Sequence, residues 1–522
     1  MFMAQQFCER QSLEKQINIA GRKGKVQNYA SSSKKIHLDD KFNIFQKIAG
    51  TPKYWQQARN ELIAKVKYLG PFQGFFTLSC GEMRWFEIFV SVLREKGHKV
   101  EYLGGKKWDG DEAKIIVDDK TTLWDFVDNI MNQSKHELLK DFCYLVTLHF
   151  DARVKAFIKH ILLGSGQERM HIKHFSYRVE IQIRGMPHIH GVFWLDKGWL
   201  KEKFEIEGPL SENNHDKVTR LADYFISCKI PEDDEKFKKV VQQVQTHKHT
   251  KSCTRNNTTT CRYNFDKYPS KKTMIACPLD DTIDEKTKEE KYEKALKIST
   301  SAKKVLTEND TSSMNFQEFL SRICDGKITE DEYHEALSTT KNGHMVIMKR
   351  EPNAVKINNY NEEILRAWNA NMDIQLVYDH FAIISYITNY INKAESKITK
   401  TLKDALSAAR DKPYDVQLRE LNKAYLTDRQ KGAPEAIYSI INGMAFKKTN
   451  LACIFVISGF PENRSLFYVP VTKDDESLEE DDNEDDLDED EESQFHEFEK
   501  KSNIIEIEGR EGKFKPSMTI ID

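Results

Sequence analysis

The stretch RVEIQIRGMPHIHGVFWL, residues 178–195, limits what this chain can fold into more than any other. Phe175, Tyr177, Val179, Ile181 and Ile183 alternate with Arg178, Glu180, Gln182 and Arg184, the period of a half-buried strand with one polar face. Gly185-Met186-Pro187 breaks the pattern, and a second apolar run follows. A three-residue hairpin loop there would set Arg184 opposite His188 and Gln182 opposite His190. His188 and His190 are two residues apart, so they share one face.

Two imidazoles beside a Glu180 or Gln182 oxygen form a mixed N/O site with open positions. Such a site suits Mg²⁺ or Mn²⁺ when phosphate oxygens complete the shell. The competing reading of H-x-H is a pair of half-exposed strand histidines that hold nothing.

A second cluster is chemically sharper. QTHKHTKSCTRNNTTTCRYNF contains His247, His249, Cys253 and Cys261, two nitrogens and two thiolates with the makings of a closed tetrahedral zinc site. The polar stretch between the cysteines has no hydrophobic reason to be ordered, so the expected role of zinc is structural. Cys277 is a possible substitute ligand.

A third feature is YDHFAIISYITNYINKAESK, read as a helix with Asp379 as N-cap. At 100° per residue Tyr386, Tyr390, Lys393 and Lys397 fall within about 60° of each other. Ile384, Ile387 and Ile391 form a separate stripe for the core. The two phenols would lie about 6 Å apart along the axis, close enough to serve one site in turn. Free phenols have a pKa of about 10 and need a cation or a metal-bound phosphate to attack well. Ordinary aromatic packing is the plain alternative.

Charge is uneven along the 522 residues. The net charge of −3 is dominated by residues 474–499, which hold 17 Asp/Glu and no Lys/Arg, and the remainder carries about +14. That body could attract a polyanion, while the acidic run reads as a disordered tail. No apolar run reaches membrane-span length, and the start MFMAQQFCERQSLEKQ lacks a signal-peptide layout. Nine scattered cysteines then point to a reducing compartment.

The expected organisation is a polar segment over 1–45, a main region over 46–400, an α/β extension over 401–470 and an acidic disordered tail over 471–522. The main region contains the knuckle at 240–280 and a charged insertion at 281–350. Its residues 283–310 read as an exposed helix without a clear apolar face. GTPKYWQQARNELIAKVKYLG predicts a helix stopped by Gly70-Pro71, FQGFFTLSC a buried strand, and 122–163 mainly helices.

Taken in order, GTPKYW, FFTLSCGEMRW, EIQIRGMPHIH, THKHTKSC…CRYNF, NANMDIQLVYDHFAIISYITNYINK and GAPEAIYSIINGM resemble the amino-terminal replication-initiator region of Helitron transposases, over roughly 50–470. The resemblance implies an α+β fold with an HUH-type antiparallel sheet flanked by helices, a zinc-knuckle insertion and a disordered acidic C-terminal tail. It implies a tyrosine endonuclease and strand transferase of rolling-circle type acting on single-stranded DNA through a 5′-phosphotyrosine. His188 and His190, with Glu180 or Gln182, would hold the Mg²⁺ or Mn²⁺. Tyr386 and Tyr390 would be nucleophiles, and Lys393 would stabilise charge or orient DNA. Arg178 and Arg184 could contact phosphates.

Helitron transposases carry a helicase after this region, and here nothing matches G-x-x-x-x-G-K-[ST]. The expectation is therefore no ATPase activity, a truncated transposase, and a helicase acting in trans as a partner. Nuclear location is expected from a DNA substrate, and no membrane partner is expected. The alternative function is an inactive, zinc-stabilised remnant that binds single-stranded DNA. A weaker one is an acidic-tailed replication adaptor.

Overall fold

The computed structural model describes residues 52–378 apart from 104–111, 120, 131–133, 165–169, 183–184, 211–213, 251–252, 254–260, 262 and 342; it also describes parts of 404–424, residues 432–456 apart from 442, and 517–521. The expected tyrosine helix, with Asp379, Tyr386, Tyr390, Lys393 and Lys397, lies outside the described residues, as do Ile183 and Arg184.

Five strands form the central sheet: β1 (Gly74–Ser79), β2 (Ile172–Ile181), β3 (Pro187–Leu195), β4 (Met372–Leu376) and β5 (Lys447–Thr449). Their order is β5-β2-β3-β1-β4, and every neighbouring pair is antiparallel. The fold is thus α+β with antiparallel pairing. β5 comes from the segment expected to be a C-terminal extension, and it completes the sheet's edge next to β2.

Pleating gives the sheet two chemically distinct faces. Phe76, Leu78, Phe175, Val179, Ile189, Phe193, Met372 and Ile374 share one face and are buried. They join one hydrophobic cluster with Val146, Phe150, Val154 and Phe157 of helix α2 (Cys143–Phe157). The opposite face carries His188, His190, Arg178, Glu180, Thr77 and Ser79. Helix α1 (Pro52–Leu69) lies over part of it, ending where Gly70 takes φ +85° and donates its N–H to the Val66 carbonyl at 3.0 Å.

The hairpin differs from the sequence expectation. β2 stops at Ile181, which pairs with Pro187, and residues 182–186 form a five-residue loop. Gln182 N–H closes it onto the Met186 carbonyl at 2.9 Å, and Gly185 N–H onto the Gln182 carbonyl at 2.7 Å with φ +85° at Gly185. The loop is two residues longer than a Gly-Met-Pro turn. Consequently Glu180, not Arg184, faces His188, and Arg178, not Gln182, faces His190.

Gly191 follows the second histidine and points to the packed face. A Cβ there would sit 2.4 Å from the Phe76 ring. Gly191→Ala is therefore expected to destabilise the protein by about 1–3 kcal/mol through overpacking. The urea midpoint should fall, and an unchanged midpoint would show that the Phe76 ring has room to move.

The 281–350 insertion also departs from expectation, because its long helix has an apolar face. Helix α3 (Glu285–Glu308) buries Ala295, Ile298, Ala302, Val305 and Leu306 at spacings of three and four. Helices α4 (Phe316–Arg322) and α5 (Glu330–Ser338) pack against it with Phe316, Phe319, Tyr333 and Leu337 to make a second core. Charge dominates the composition of α3 and hides the stripe. The ladder of Met274–Ala276 against Met345–Ile347 brings the insertion's two ends together.

Two histidines, the buried His334 and the half-buried His149, give stability a pH dependence. Burial pushes His149 and His334 below the ordinary imidazole range. Both bind protons less readily folded than unfolded, so stability is full above about pH 6.5 and falls as acid protonates the unfolded chain first. The urea midpoint should be lower at pH 5.5 than at 7.5, and His334→Gln should reduce the difference.

Residues 471–516 of the expected acidic tail lie outside the described residues. Its end differs from a disordered tail, since Ser517–Ile521 pairs antiparallel with Ala452–Val456. Among the described residues no helix is long and apolar enough to cross a membrane.

Candidate metal and nucleic-acid site

Strand register builds the site. One row across the sheet runs Lys447, Arg178, His190, Thr77, Asp373, and the next runs Glu180, His188, Ser79. Adjacent rows differ by two residues, so all these side chains share the polar face. His188 and His190 are 7% and 5% exposed, which excludes the half-exposed surface pair. Their ring centroids are 4.7 Å apart.

Glu180 Oε2 accepts from His190 Nε2 at 2.8 Å. Neighbouring ligands of an octahedral ion with bonds of about 2.1 Å are separated by about 3 Å, so the same pair could bind one cation once the nitrogen loses its proton. Gln182 sits in the hairpin loop and is not opposite either histidine. The geometry therefore favours Glu180 as the oxygen ligand.

Sequence reasoning missed several residues around this pair. Thr77 and Ser79 belong to FFTLS, which read as simply buried. Their alternation with Phe76 and Leu78 was the available signal. Ser79 Oγ lies 3.1 Å from His188 Nδ1 and donates to Asn371 Oδ1 at 3.4 Å. Asp373 ends the His190 row, where burial pushes its carboxyl above the usual carboxylate range against the pull of Gln375, Lys267 and Arg350.

A cavity of ≈ 300 Å³ opens beside His190, between α1 and the sheet. Trp55 and Leu62 roof it, and Lys65, Ser176, Arg178 and Lys447 line it. Lys65 is 4% exposed and donates to Ser176 Oγ at 3.2 Å, and burial pushes its ammonium below the usual lysine range. The Arg178 guanidinium stacks over Trp55 at 4.6 Å. Lys447 pairs with Glu61, the acidic residue in the lining, at 2.8 Å. Lys65, Arg178, Lys447 and Lys448 against the Glu61 carboxylate suit an anion.

The His/Cys knuckle lies beside the other edge of the sheet. Donor atoms of His247, His249, Cys253 and Cys261 lie within 4.8 Å of one another. Cys253 Sγ and Cys261 Sγ are each 3.4 Å from His247 Nε2. Tetrahedral zinc with ordinary Zn–S and Zn–N bonds sets such atoms about 3.6 Å apart, so the donor set fits that ion. His247 stacks on Phe265 at 4.3 Å, and the buried Asp266 carboxylate accepts from His249 Nε2 at 3.4 Å. A carboxylate behind a ligating imidazole is the usual outer support of a zinc site. Cys277 is not in the cluster. Its backbone bonds to Ser338 and Thr340 at the base of the insertion.

The knuckle is anchored by His247 N–H to the Lys356 carbonyl at 2.7 Å, and Asn371, the residue before β4, donates Nδ2 to Gln245 Oε1 at 3.0 Å. Residues 3–193 match the family model of the Helitron helicase-like domain at N-terminus. The match covers α1, β1, β2 and the histidine pair, and it ends within β3 at Phe193. The knuckle, β4 and β5 lie beyond the Helitron-like match. A comparison with curated proteins gave no match.

Proposed function

We propose that this Helitron-related protein is a metal-dependent endonuclease and strand transferase for single-stranded DNA, of HUH type. The observation that carries the reading is the buried His188–His190 pair on a polar sheet face, with the Glu180 carboxylate 2.8 Å from His190. These three residues would hold Mg²⁺ or Mn²⁺, which when bound polarises a phosphate. His247, His249, Cys253 and Cys261 would hold a structural zinc.

In this reading Tyr386 or Tyr390 attacks phosphorus. The new Tyr–O–P bond forms as the P–O3′ bond breaks, and the departing oxygen takes a proton to become a 3′-hydroxyl. The 5′-phosphotyrosine keeps the phosphodiester energy, so a second tyrosine or a strand end can complete transfer without ATP. Lys393 would stabilise charge on the phosphate. The cavity lined by Lys65, Arg178 and Lys447 would take the backbone of the strand as it leaves the histidines.

The proposal predicts that end-labelled single-stranded DNA is cut only when Mn²⁺ or Mg²⁺ is added and that His188→Ala abolishes cutting. Metal-independent cutting would contradict it. Lys65→Met should weaken DNA binding and flatten the slope of log K against log salt by about 0.7, the value for one lost phosphate contact on a single strand. An unchanged slope would remove the cavity from the DNA path.

A further inference from the structure

The hydrogen-bond chain behind His188 fixes which ring nitrogen can serve as a ligand, and it does so from the knuckle side. Asn371 Nδ2 lies 2.8 Å from the Val244 carbonyl oxygen and 3.0 Å from Gln245 Oε1. A backbone carbonyl only accepts, so the amide nitrogen must face it and Oδ1 must face Ser79. Gln245 Oε1 also accepts the Met372 N–H at 3.5 Å, consistent with this orientation.

Ser79 has one hydroxyl proton. Asn371 Oδ1 can only accept, and at 3.4 Å it takes that proton. Ser79 Oγ must then accept from His188 at 3.1 Å, which places the imidazole proton on Nδ1. The opposite arrangement would turn the Ser79 proton toward His188 and take the Ser79 donor from Asn371 Oδ1, in a site where a lost hydrogen bond is costly.

Ser79 itself has little freedom. Its N–H donates to the Asn371 carbonyl at 2.9 Å, and its carbonyl accepts the buried Trp368 indole at 2.7 Å.

We infer that Ser79 and Asn371 are positioning residues that hold His188 as its Nδ1–H tautomer, so that His188 presents Nε2 to a divalent cation. This rests on the metal reading above. Asn371 also joins the chain to Val244 and Gln245, three and two residues ahead of His247, so the knuckle buttresses the histidine pair from behind. Partners of this kind orient a ligating imidazole and raise its basicity, and their loss typically costs about 10- to 100-fold in metal affinity.

The test uses the full chain with ¹⁵N-labelled histidine. Long-range ¹H–¹⁵N spectra are recorded at pH 8, with the His188 signals assigned from their loss in His188→Gln. The expected wild-type pattern is a protonated Nδ1 and an unprotonated Nε2. Ser79→Ala should shift His188 toward the Nε2–H form and weaken Mg²⁺ binding about 10- to 100-fold, whereas Ser79→Thr should keep both properties. Asn371→Ala, which frees the Ser79 hydroxyl to rotate, should give a tautomer mixture.

A wild-type Nε2–H pattern overturns the inference without recourse to any variant. So does a tautomer unchanged in Ser79→Ala. If Nδ1 is protonated but Mg²⁺ leaves the His188 signals unmoved, the tautomer assignment holds and the metal reading fails.

Discussion

Cys253→Ser is expected to reduce bound zinc from one equivalent per chain to a small fraction, with a marked fall in thermal stability. Structural zinc in small finger peptides contributes on the order of 10–16 kcal/mol of apparent binding free energy, and losing one thiolate forfeits much of it. The loss should spread beyond the knuckle, because Cys253 Sγ and Cys261 Sγ converge on His247, whose backbone bonds to Lys356. Chelation of the wild type should reproduce the variant. Cys277→Ser should leave zinc content unchanged, since Cys277 sits at the base of the insertion. Zinc content by mass spectrometry decides the matter, and full zinc retention in Cys253→Ser would contradict the assignment of these four ligands.

The second large effect concerns the histidine face. His190→Ala would remove one of the proposed metal ligands and leaves Glu180 without the partner now at 2.8 Å. A metal acting as Lewis acid on a phosphoryl oxygen is worth several kcal/mol, so the cleavage rate should fall by about 10³-fold or more. Folding should survive better than in Gly191→Ala, because His190 faces the cavity rather than the packed core. A variant with wild-type cleavage would show that the metal, if one acts, is held elsewhere.

The histidine pair, the clustering of His247, His249, Cys253 and Cys261, and the helices over 122–163 were legible in the sequence because each depends on local spacing. Period two put His188 and His190 on one face, and the four knuckle residues lie within fifteen positions. Hairpin register was not legible. Gly185-Met186-Pro187 suggested a short turn, but Gln182 N–H bonds to the Met186 carbonyl and lengthens the loop to five residues. That change exchanges Gln182 for Glu180 beside the histidines.

Long-range partners were also beyond local pattern. Asn371 reaches Ser79 from 292 positions away, and Lys447 joins Arg178 only because a late strand returns to the sheet's edge. The apolar stripe of α3 was present in the sequence but was masked by the charges around it.

Capture of a covalent product separates a tyrosine endonuclease from a DNA-binding protein. The 522-residue chain is incubated with Mn²⁺ and a pool of end-labelled single-stranded oligonucleotides, and the SDS-stable protein–DNA adduct is digested and sequenced by mass spectrometry. The expected result is DNA attached through its 5′-phosphate to Tyr386 or Tyr390, with the adduct absent from His188→Ala and from the tyrosine variant that removes the nucleophile. DNA bound by the protein without any adduct, across the whole pool and with Mn²⁺ present, would contradict a tyrosine endonuclease and leave a binding protein in its place.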